Sequence, residues 1–128
     1  MISVDTSSLV AFFHDDDGID VEGVDQAFEL NCAILSPIVV SEILSDHKLS
    51  TYFIDLIKSI PTLPLKPGFW ERAGLMRSRI LRRGLKARLG DTLIAQTCLD
   101  HKVELITRDT DFKHFAQYEK LKLWGWRH

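Results

Sequence analysis

Four acidic residues along the sequence each stand beside an apolar segment: Asp5, Glu42, Asp91 and Asp109. An ionised carboxylate near an apolar core is costly unless a positive charge offsets it. Four carboxylates gathered in one place would bind a hard divalent cation, because such cations prefer oxygen ligands. The cation would make water a better nucleophile and stabilise negative charge at a phosphodiester phosphorus. The acids therefore point to metal-dependent phosphodiester hydrolysis, if the fold brings them together.

Each of these acids also has a purely structural explanation. Asp5 and Asp91 could cap the N-termini of helices, where Asp is common. Glu42 could lie on a solvated helix flank, and Asp109 could form a turn. These explanations are the better ones for any acid taken alone. A joint site becomes favoured because all four acids can fall at one edge of a sheet.

Strand patterns and helix patterns alternate along the chain. The predicted strands are residues 2–4, 33–35, 62–65 (at a sheet edge), 103–106 and 121–124. The predicted helices begin after Asp5, at Pro37, at Asp91 and at Asp111, and others occupy residues 24–30, 49–60 and 68–82. This alternation predicts a three-layer α/β/α fold with a mainly parallel central sheet.

The predicted topology allows the acids to meet. In α/β folds of this kind, ligand sites lie at the carboxyl ends of the strands. Asp5 directly follows the first predicted strand, and Asp109 follows residues 103–107. Glu42 and Asp91 lie in early turns of predicted helices that can face the same edge. We therefore expect the four side chains to converge.

The composition is that of an ordinary globular protein. The 128 residues are 45% hydrophobic and 27% charged, which favours one folded domain over residues 1–128 and argues against disorder. No apolar run approaches the roughly 20 residues that span a bilayer, and the first residues lack the basic segment of a secretion signal. Cys32 and Cys98 have no metal-ligand spacing. We expect a cytoplasmic protein with free thiols.

Charge is distributed unevenly although the net charge is only −2. Residues 1–30 hold eight acids and neither Lys nor Arg, whereas residues 72–88 hold seven basic residues and no acid. Six of those seven are Arg, whose guanidinium fork matches phosphate oxygens. The basic segment could be a solvated helix face, or it could be a local surface that binds a polyanion.

The acids in their local settings resemble the PIN-domain ribonucleases, most closely the small VapC-type toxins of prokaryotic toxin–antitoxin pairs. The motifs that carry the resemblance are VDTSSL at residues 4–9, SPIVVSEI at 36–43, DTLIA at 91–95 and LITRDTDF at 105–112. The resemblance covers the whole chain in order, spacing and length. It implies a metal-dependent endoribonuclease that is the toxin of such a pair.

The resemblance assigns roles to particular residues. It implies that the catalytic acids are Asp5, Glu42, Asp91 and Asp109, and that they bind Mg²⁺ or Mn²⁺. Asp111 fits the fourth acidic position as well as Asp109 does, so either could be the fourth metal ligand. The hydroxyls of Thr6 and Ser7 could orient a phosphate oxygen or a carboxylate. The cations expected to contact RNA phosphates are Arg79, Arg82, Arg83, Arg88 and Arg108.

Partners are suggested by apolar residues on short helices in the first sixty positions, namely Phe12, Phe13, Phe28, Phe53 and Ile57. Burial in the core explains each residue taken alone, but a small core may not hold them all without leaving an interface. With the resemblance, they imply a homodimer and a groove for the helix of a cognate antitoxin.

Other functions remain open at this point. A PIN-like RNA-processing nuclease without an antitoxin would carry the same acids, and a non-catalytic RNA-binding or protein-binding module could use the same scaffold. A receiver domain would need an acidic pair just after the first strand and a late Lys, where this chain has Arg108. A haloacid-dehalogenase-like phosphatase would need an Asp where Ser7 stands.

Overall fold

The structure is a computed structural model, and it describes residues 1–125. Three short strands and seven helices follow one another in the described part of the chain. In order they are β1 (Ile2–Val4), α1 (Thr6–Phe13), α2 (Ile19–Glu29), β2 (Ala33–Ile34), α3 (Pro37–Leu44), α4 (Thr51–Ser59), α5 (Phe69–Arg82), α6 (Leu89–His101), β3 (Glu104–Ile106) and α7 (Lys113–Glu119). A single 3-10 turn, Thr110–Phe112, precedes α7.

The three strands form a parallel sheet in the order β2-β1-β3, flanked by helices. The α/β class with a parallel sheet, predicted from the alternation of elements, is confirmed. In the register of β1 with β3, Val4 faces Ile106. The residues that follow these two strands therefore leave the sheet side by side, at its carboxyl edge.

Two predicted strands are reduced to isolated parallel bridges. At residues 62–65 only Thr62 pairs, with Leu35 of the chain after β2. Proline has no N–H to donate to a ladder, and Pro64 lies inside this segment, so a longer strand is disfavoured. At residues 121–124 only Leu123 pairs, with Leu105, and the chain then turns at Gly125.

Helix N-termini explain why two acids are left for other work. At α3 the predicted cap forms, and the Ser36 hydroxyl accepts a hydrogen bond from the Ile38 N–H at 3.3 Å. At α1, Asp5 occupies the N-cap position, but its side chain makes no capping bond. Helix α6 begins two residues earlier than predicted, with Arg88 as its N-cap, so Asp91 lies inside the first turn. Neither carboxylate caps its helix.

The core lies between the sheet and its helices. Its largest buried side chains include Leu9, Ile80, Ile94, Leu105 and Phe112. Ile57, considered above as a possible interface residue, is only 1% exposed and belongs to this core. The aromatic residues of the first sixty positions pack on one another: Phe13 stacks on Phe53 with ring centroids 4.2 Å apart, and Phe12 meets Phe28 edge to face at 5.2 Å.

Several cations of the basic segment hold helix α5 in place. Arg72 forms two hydrogen bonds with Asp100 of α6, and Arg79 forms three with Glu119 of α7. Arg77 Nε donates to the Ala87 carbonyl at 2.7 Å. These side chains thus serve packing within the protein. Within residues 1–125, none of the helices combines the length and apolar character needed to cross a bilayer.

Candidate active site

Three carboxylates meet at the carboxyl edge of the sheet, next to the N-terminus of α6. Asp91, Asp109 and Asp111 each offer an oxygen, and these oxygens all lie within 4.8 Å of one another. Asp91 comes from the first turn of α6, while the other two flank the start of the 3-10 turn after β3. The sequence left Asp109 and Asp111 as alternatives for one position, and the fold brings both to the same cluster.

Asp5 lies beside this cluster, in the turn between β1 and α1. It is only 4% exposed, and its Oδ2 accepts hydrogen bonds from Ser7 Oγ at 2.7 Å and from Thr107 Oγ1 at 2.8 Å. Burial raises the pKa of the Asp5 carboxyl, and the charge of Glu42 adds to that increase, although the hydrogen bonds oppose it. Two hydroxyls therefore fix the orientation of a carboxylate whose charge is unfavourable there.

Glu42 completes the group from helix α3, at the exposed rim of the cleft. Its Oε1 accepts a hydrogen bond from Thr6 Oγ1 at 2.7 Å. Its Oε2 would lie 3.2 Å from a Cβ atom placed on Gly90, which is tighter than most contacts of this kind. A glycine just before Asp91 thus gives Glu42 room to approach the acids of α6.

Asp91 has the most strained electrostatic environment of the group. Burial raises the pKa of its carboxyl to about 6, and the charges of Asp109, Asp5 and Glu42 raise it further, while Arg88 lowers it. Its Oδ2 is buried and has no hydrogen-bond partner. An unpartnered carboxylate oxygen among other carboxylates is costly unless a cation satisfies it. The acids of this cleft therefore fit a metal ion.

Thr107, which sequence reasoning did not single out, joins the two strand ends. Its Oγ1 donates to Asp5 and accepts a hydrogen bond from the Asp109 N–H at 3.0 Å. The Asp109 carboxylate in turn accepts the Asp111 N–H at 2.9 Å. The one available signal was its position: a hydroxyl residue follows β3 where Asp5 follows the neighbouring parallel strand.

Two cations reach the acids from the loop between α5 and α6. Lys86 Nζ lies 3.4 Å from Asp111 Oδ2, and the charge of Arg88 lowers the pKa of Asp91. Arg88 was predicted to be near the site, whereas Lys86 was noted only as part of the basic segment. These cations partly neutralise the cluster and leave positive charge at its edge.

The other residues predicted to contact substrate have varied surroundings. Thr6 and Ser7 donate to carboxylates, which is one of the two roles expected of them. Arg79 is held by Glu119, and the Arg83 guanidinium lies 4.0 Å from the ring centroid of Tyr118. Arg82 is exposed near the end of α5.

Arg108 is held away from the acid cluster by the start of α2. Its Nε donates to Asp20 Oδ2 at 2.8 Å, and its second guanidinium nitrogen donates to the Asp17 carbonyl at 3.1 Å. Ser8 also donates to Asp20, at 2.9 Å. This network ties the residue just before Asp109 to two helices.

Comparison with known proteins places this geometry in a family. The model of the PIN domain matches residues 2–118. No curated protein shows a significant match.

Several solved structures share the fold. One is VapBC2 from Rickettsia felis bound to a promoter DNA fragment, with 20% identity, a TM-score of 0.70, and coverage of 99% of this chain and 100% of that one. Another is VapBC-5 from Mycobacterium tuberculosis, of the VapBC family of toxin–antitoxin systems, with 16% identity, a TM-score of 0.70 and 95% coverage of both chains. A toxin–antitoxin complex from Klebsiella pneumoniae has 22% identity, a TM-score of 0.66, and coverage of 94% and 95%.

Replacing Asp91 by Asn should stabilise the metal-free protein at neutral pH. The pKa of this group is 3.8 in its ordinary state and about 6 in the fold, so the native state binds more protons than the unfolded state between those values. Its charge therefore costs stability above about pH 6, and the cost vanishes as the pH falls toward 4. Allowing for partial exposure, we expect a gain of about 1 kcal/mol at pH 7.5 and less at pH 4.5.

Urea denaturation in EDTA measures this difference, with Asp55→Asn as the control because Asp55 is exposed on α4. The same variant should bind Mn²⁺ at least about tenfold more weakly by calorimetry, since it loses a charged ligand. Equal Mn²⁺ affinity in the wild type and Asp91→Asn would show that the cluster is not a metal site.

Proposed function

Because the chain belongs to the PIN-domain family, we propose that it is a metal-dependent endoribonuclease and the toxin of a toxin–antitoxin pair. The observation that carries the catalytic part is the buried, unpartnered Oδ2 of Asp91 among the carboxylates of Asp109 and Asp111. A fold that only bound a partner would gain nothing from keeping these charges together, because their repulsion opposes folding.

The acids would hold Mg²⁺ or Mn²⁺. The ligands would come from Asp91, Asp109 and Asp111, with Asp5 and Glu42 beside them. The cation would supply Lewis-acid stabilisation of the phosphoryl oxygens and lower the pKa of water. The protein itself orients the acids: hydrogen bonds from Ser7 and Thr107 fix Asp5, and Thr6 fixes Glu42. Preoriented carboxylates need no rearrangement when charge develops in the transition state.

Unpaired RNA is the substrate that suits this cleft. A single strand can bend its backbone into a site at a sheet edge, whereas an A-form duplex cannot easily do so. Flanking phosphates would contact Arg88 at the acids and Arg82 and Arg83 at the end of α5. Arg79 and Arg108 could contribute only by exchanging Glu119 and Asp20 for a phosphate. Such contacts position the strand without reading its sequence.

An antitoxin would bind the apolar groove between α2 and α4. This groove has a volume of about 680 Å³, and its lining includes Phe12, Phe28, Tyr52 and Leu56. An amphipathic helix can lay its apolar face in such a groove. The similar structures from R. felis and K. pneumoniae are a VapBC assembly and a toxin–antitoxin complex, which supports a protein partner here.

Self-association would use another surface. Leu75 and Leu81 of α5 and Leu89 at the start of α6 are exposed, and Leu81 and Leu89 line one open depression. Exposed apolar side chains that cluster in this way mark interfaces more often than isolated ones do. The chain would therefore be a homodimer, and a mass of 14.7 kDa by light scattering, that of one chain, would contradict this.

The central prediction is RNA cleavage. Single-stranded RNA should be cut internally with Mg²⁺ or Mn²⁺, and EDTA should abolish the activity. Asp5→Asn should lower the rate on the order of 100-fold or more, because it removes a charge that the site orients with two hydroxyls. Asp55→Asn serves as the surface control. Wild-type rates in purified Asp5→Asn would refute the mechanism, and RNA binding without cleavage by the wild type would favour a non-catalytic module.

The exposed part of the basic segment should govern the salt dependence of RNA binding. Replacing Arg82 and Arg83 together with Gln should reduce the slope of log affinity against log salt by about 1.4, or about 0.7 for each lost phosphate contact. Filter binding in the Asp5→Asn background, at constant Mg²⁺, measures the slope without cleavage. The matched control replaces two exposed lysines, Lys58 and Lys122. An identical slope in both double variants would mean that Arg82 and Arg83 only meet solvent.

The antitoxin groove can be tested at its rim. The product of a reading frame adjacent to the gene should inhibit RNA cleavage, and Tyr52→Glu should abolish that inhibition while leaving cleavage intact. Tyr52 is 73% exposed, so the variant should fold. Leu30→Glu is the matched control because Leu30 is 74% exposed and lies outside the groove lining. Inhibition that survives Tyr52→Glu would exclude this groove, and the absence of any inhibitor would leave a nuclease without an antitoxin.

A further inference from the structure

A second cavity opens beside the acids and is unused by the mechanism above. It lies between α1, α3 and the loop of residues 45–50, and its volume is about 500 Å³. We call it the α1–α3 pocket. Thr6 and Glu42, which are hydrogen-bonded to each other at 2.7 Å, belong to its lining. Because Glu42 also raises the pKa of Asp91, the pocket and the acid cleft share a wall.

The walls of the α1–α3 pocket differ in chemistry. One wall is apolar and partly aromatic, and it contains Val10, Phe13 and Phe53. The two phenylalanine rings are stacked with an angle of 24° between their planes, so they present a firm surface. The rim is polar and is formed by His14, Asp46, Lys48 and Ser50.

This combination matches the two kinds of surface on a nucleobase, whose faces are apolar and aromatic and whose edge forms hydrogen bonds. The rim offers a carboxylate acceptor at Asp46, a hydroxyl at Ser50 and a cation at Lys48. The groove between α2 and α4, by comparison, has a mostly apolar lining that suits a helix.

We propose that the α1–α3 pocket binds the unpaired base of the nucleotide next to the phosphate held at the acid cluster. The proposal rests on the ribonuclease function proposed above and adds a determinant of substrate choice to it. The continuity of the two sites through Glu42 supports this occupant, because a base joined to a phosphate at the acids can enter only a cavity that adjoins them. Lys48 is placed to meet the negative backbone of the same strand.

A binding experiment tests the pocket without relying on catalysis. The four nucleoside 5′-monophosphates are titrated into the metal-free protein while the methyl signals of Val10 are followed by NMR. We expect a saturable shift with at least one nucleotide and none with ribose 5-phosphate, which lacks the base. Leu44 provides a reference signal, because it is 38% exposed, like Val10 at 39%, but lies outside the pocket lining.

A matched pair of variants links the pocket to cleavage. Val10→Phe fills the pocket from its exposed side, and Leu44→Phe adds the same bulk elsewhere. In wild type and Leu44→Phe, removing the base next to the cleavage site should lower kcat/KM about tenfold, the scale of one stacked base. In Val10→Phe the intact RNA should already be cut about tenfold more slowly, and base removal should have little further effect.

The outcomes separate this proposal from the proposed function. Cleavage by the wild type, with no nucleotide shift at Val10 and the same effect of base removal in both variants, would overturn the pocket proposal and leave the nuclease standing. A base-dependent shift in a protein that cleaves no RNA would support base binding and refute the nuclease. If Val10 responds only to the antitoxin, the pocket belongs to the protein partner and the proposal is wrong.

Discussion

The repulsion among carboxylates at the edge of a small parallel sheet is the constraint on which the rest of the structure depends. The pairing of β1 with β3 sets Asp5 beside Thr107, and the first turn of α6 brings Asp91 to the same place. Burial and neighbouring charges raise the pKa of Asp91 to about 6. The fold tolerates this arrangement because a large buried core stabilises the elements that hold it.

Hydroxyl groups divide the acids into two classes. Asp5 and Glu42 are each oriented by threonine or serine side chains, so their directions are set before any ligand arrives. Asp91 keeps a buried oxygen with no partner, which makes it the acid most dependent on a cation. Lys86 and Arg88 offset part of the charge from the adjoining loop. Orientation and neutralisation are thus supplied by different parts of the chain.

Phe53 stands between two cavities with different chemistry. It lines the apolar groove on one side and the α1–α3 pocket on the other, and its ring is stacked on Phe13. A helix bound in the groove would therefore touch a wall of the pocket that adjoins the acids. Close-packed rings transmit small displacements to their neighbours, so the two cavities are mechanically connected.

The sequence was sufficient for the fold class and for the family, because both depend on local signals. The strand at residues 2–4, the cap at Ser36 and the acids in their short motifs each lie within a few residues of what defines them. The family match over residues 2–118 confirms the resemblance. The metal, catalytic and substrate roles of the individual residues stay predictions.

Partners distant in sequence had to come from the tertiary structure. Seven cations in one run looked alike, but Arg79 pairs with Glu119, 40 residues away, and Arg108 pairs with Asp20, 88 residues away. Local pattern carries no information on which cation finds such a partner and which stays exposed. The same holds for Thr107, whose bond to Asp5 exists only because β1 and β3 are parallel neighbours. Local residue types therefore determined which groups were present, and packing determined which of them remained available for chemistry.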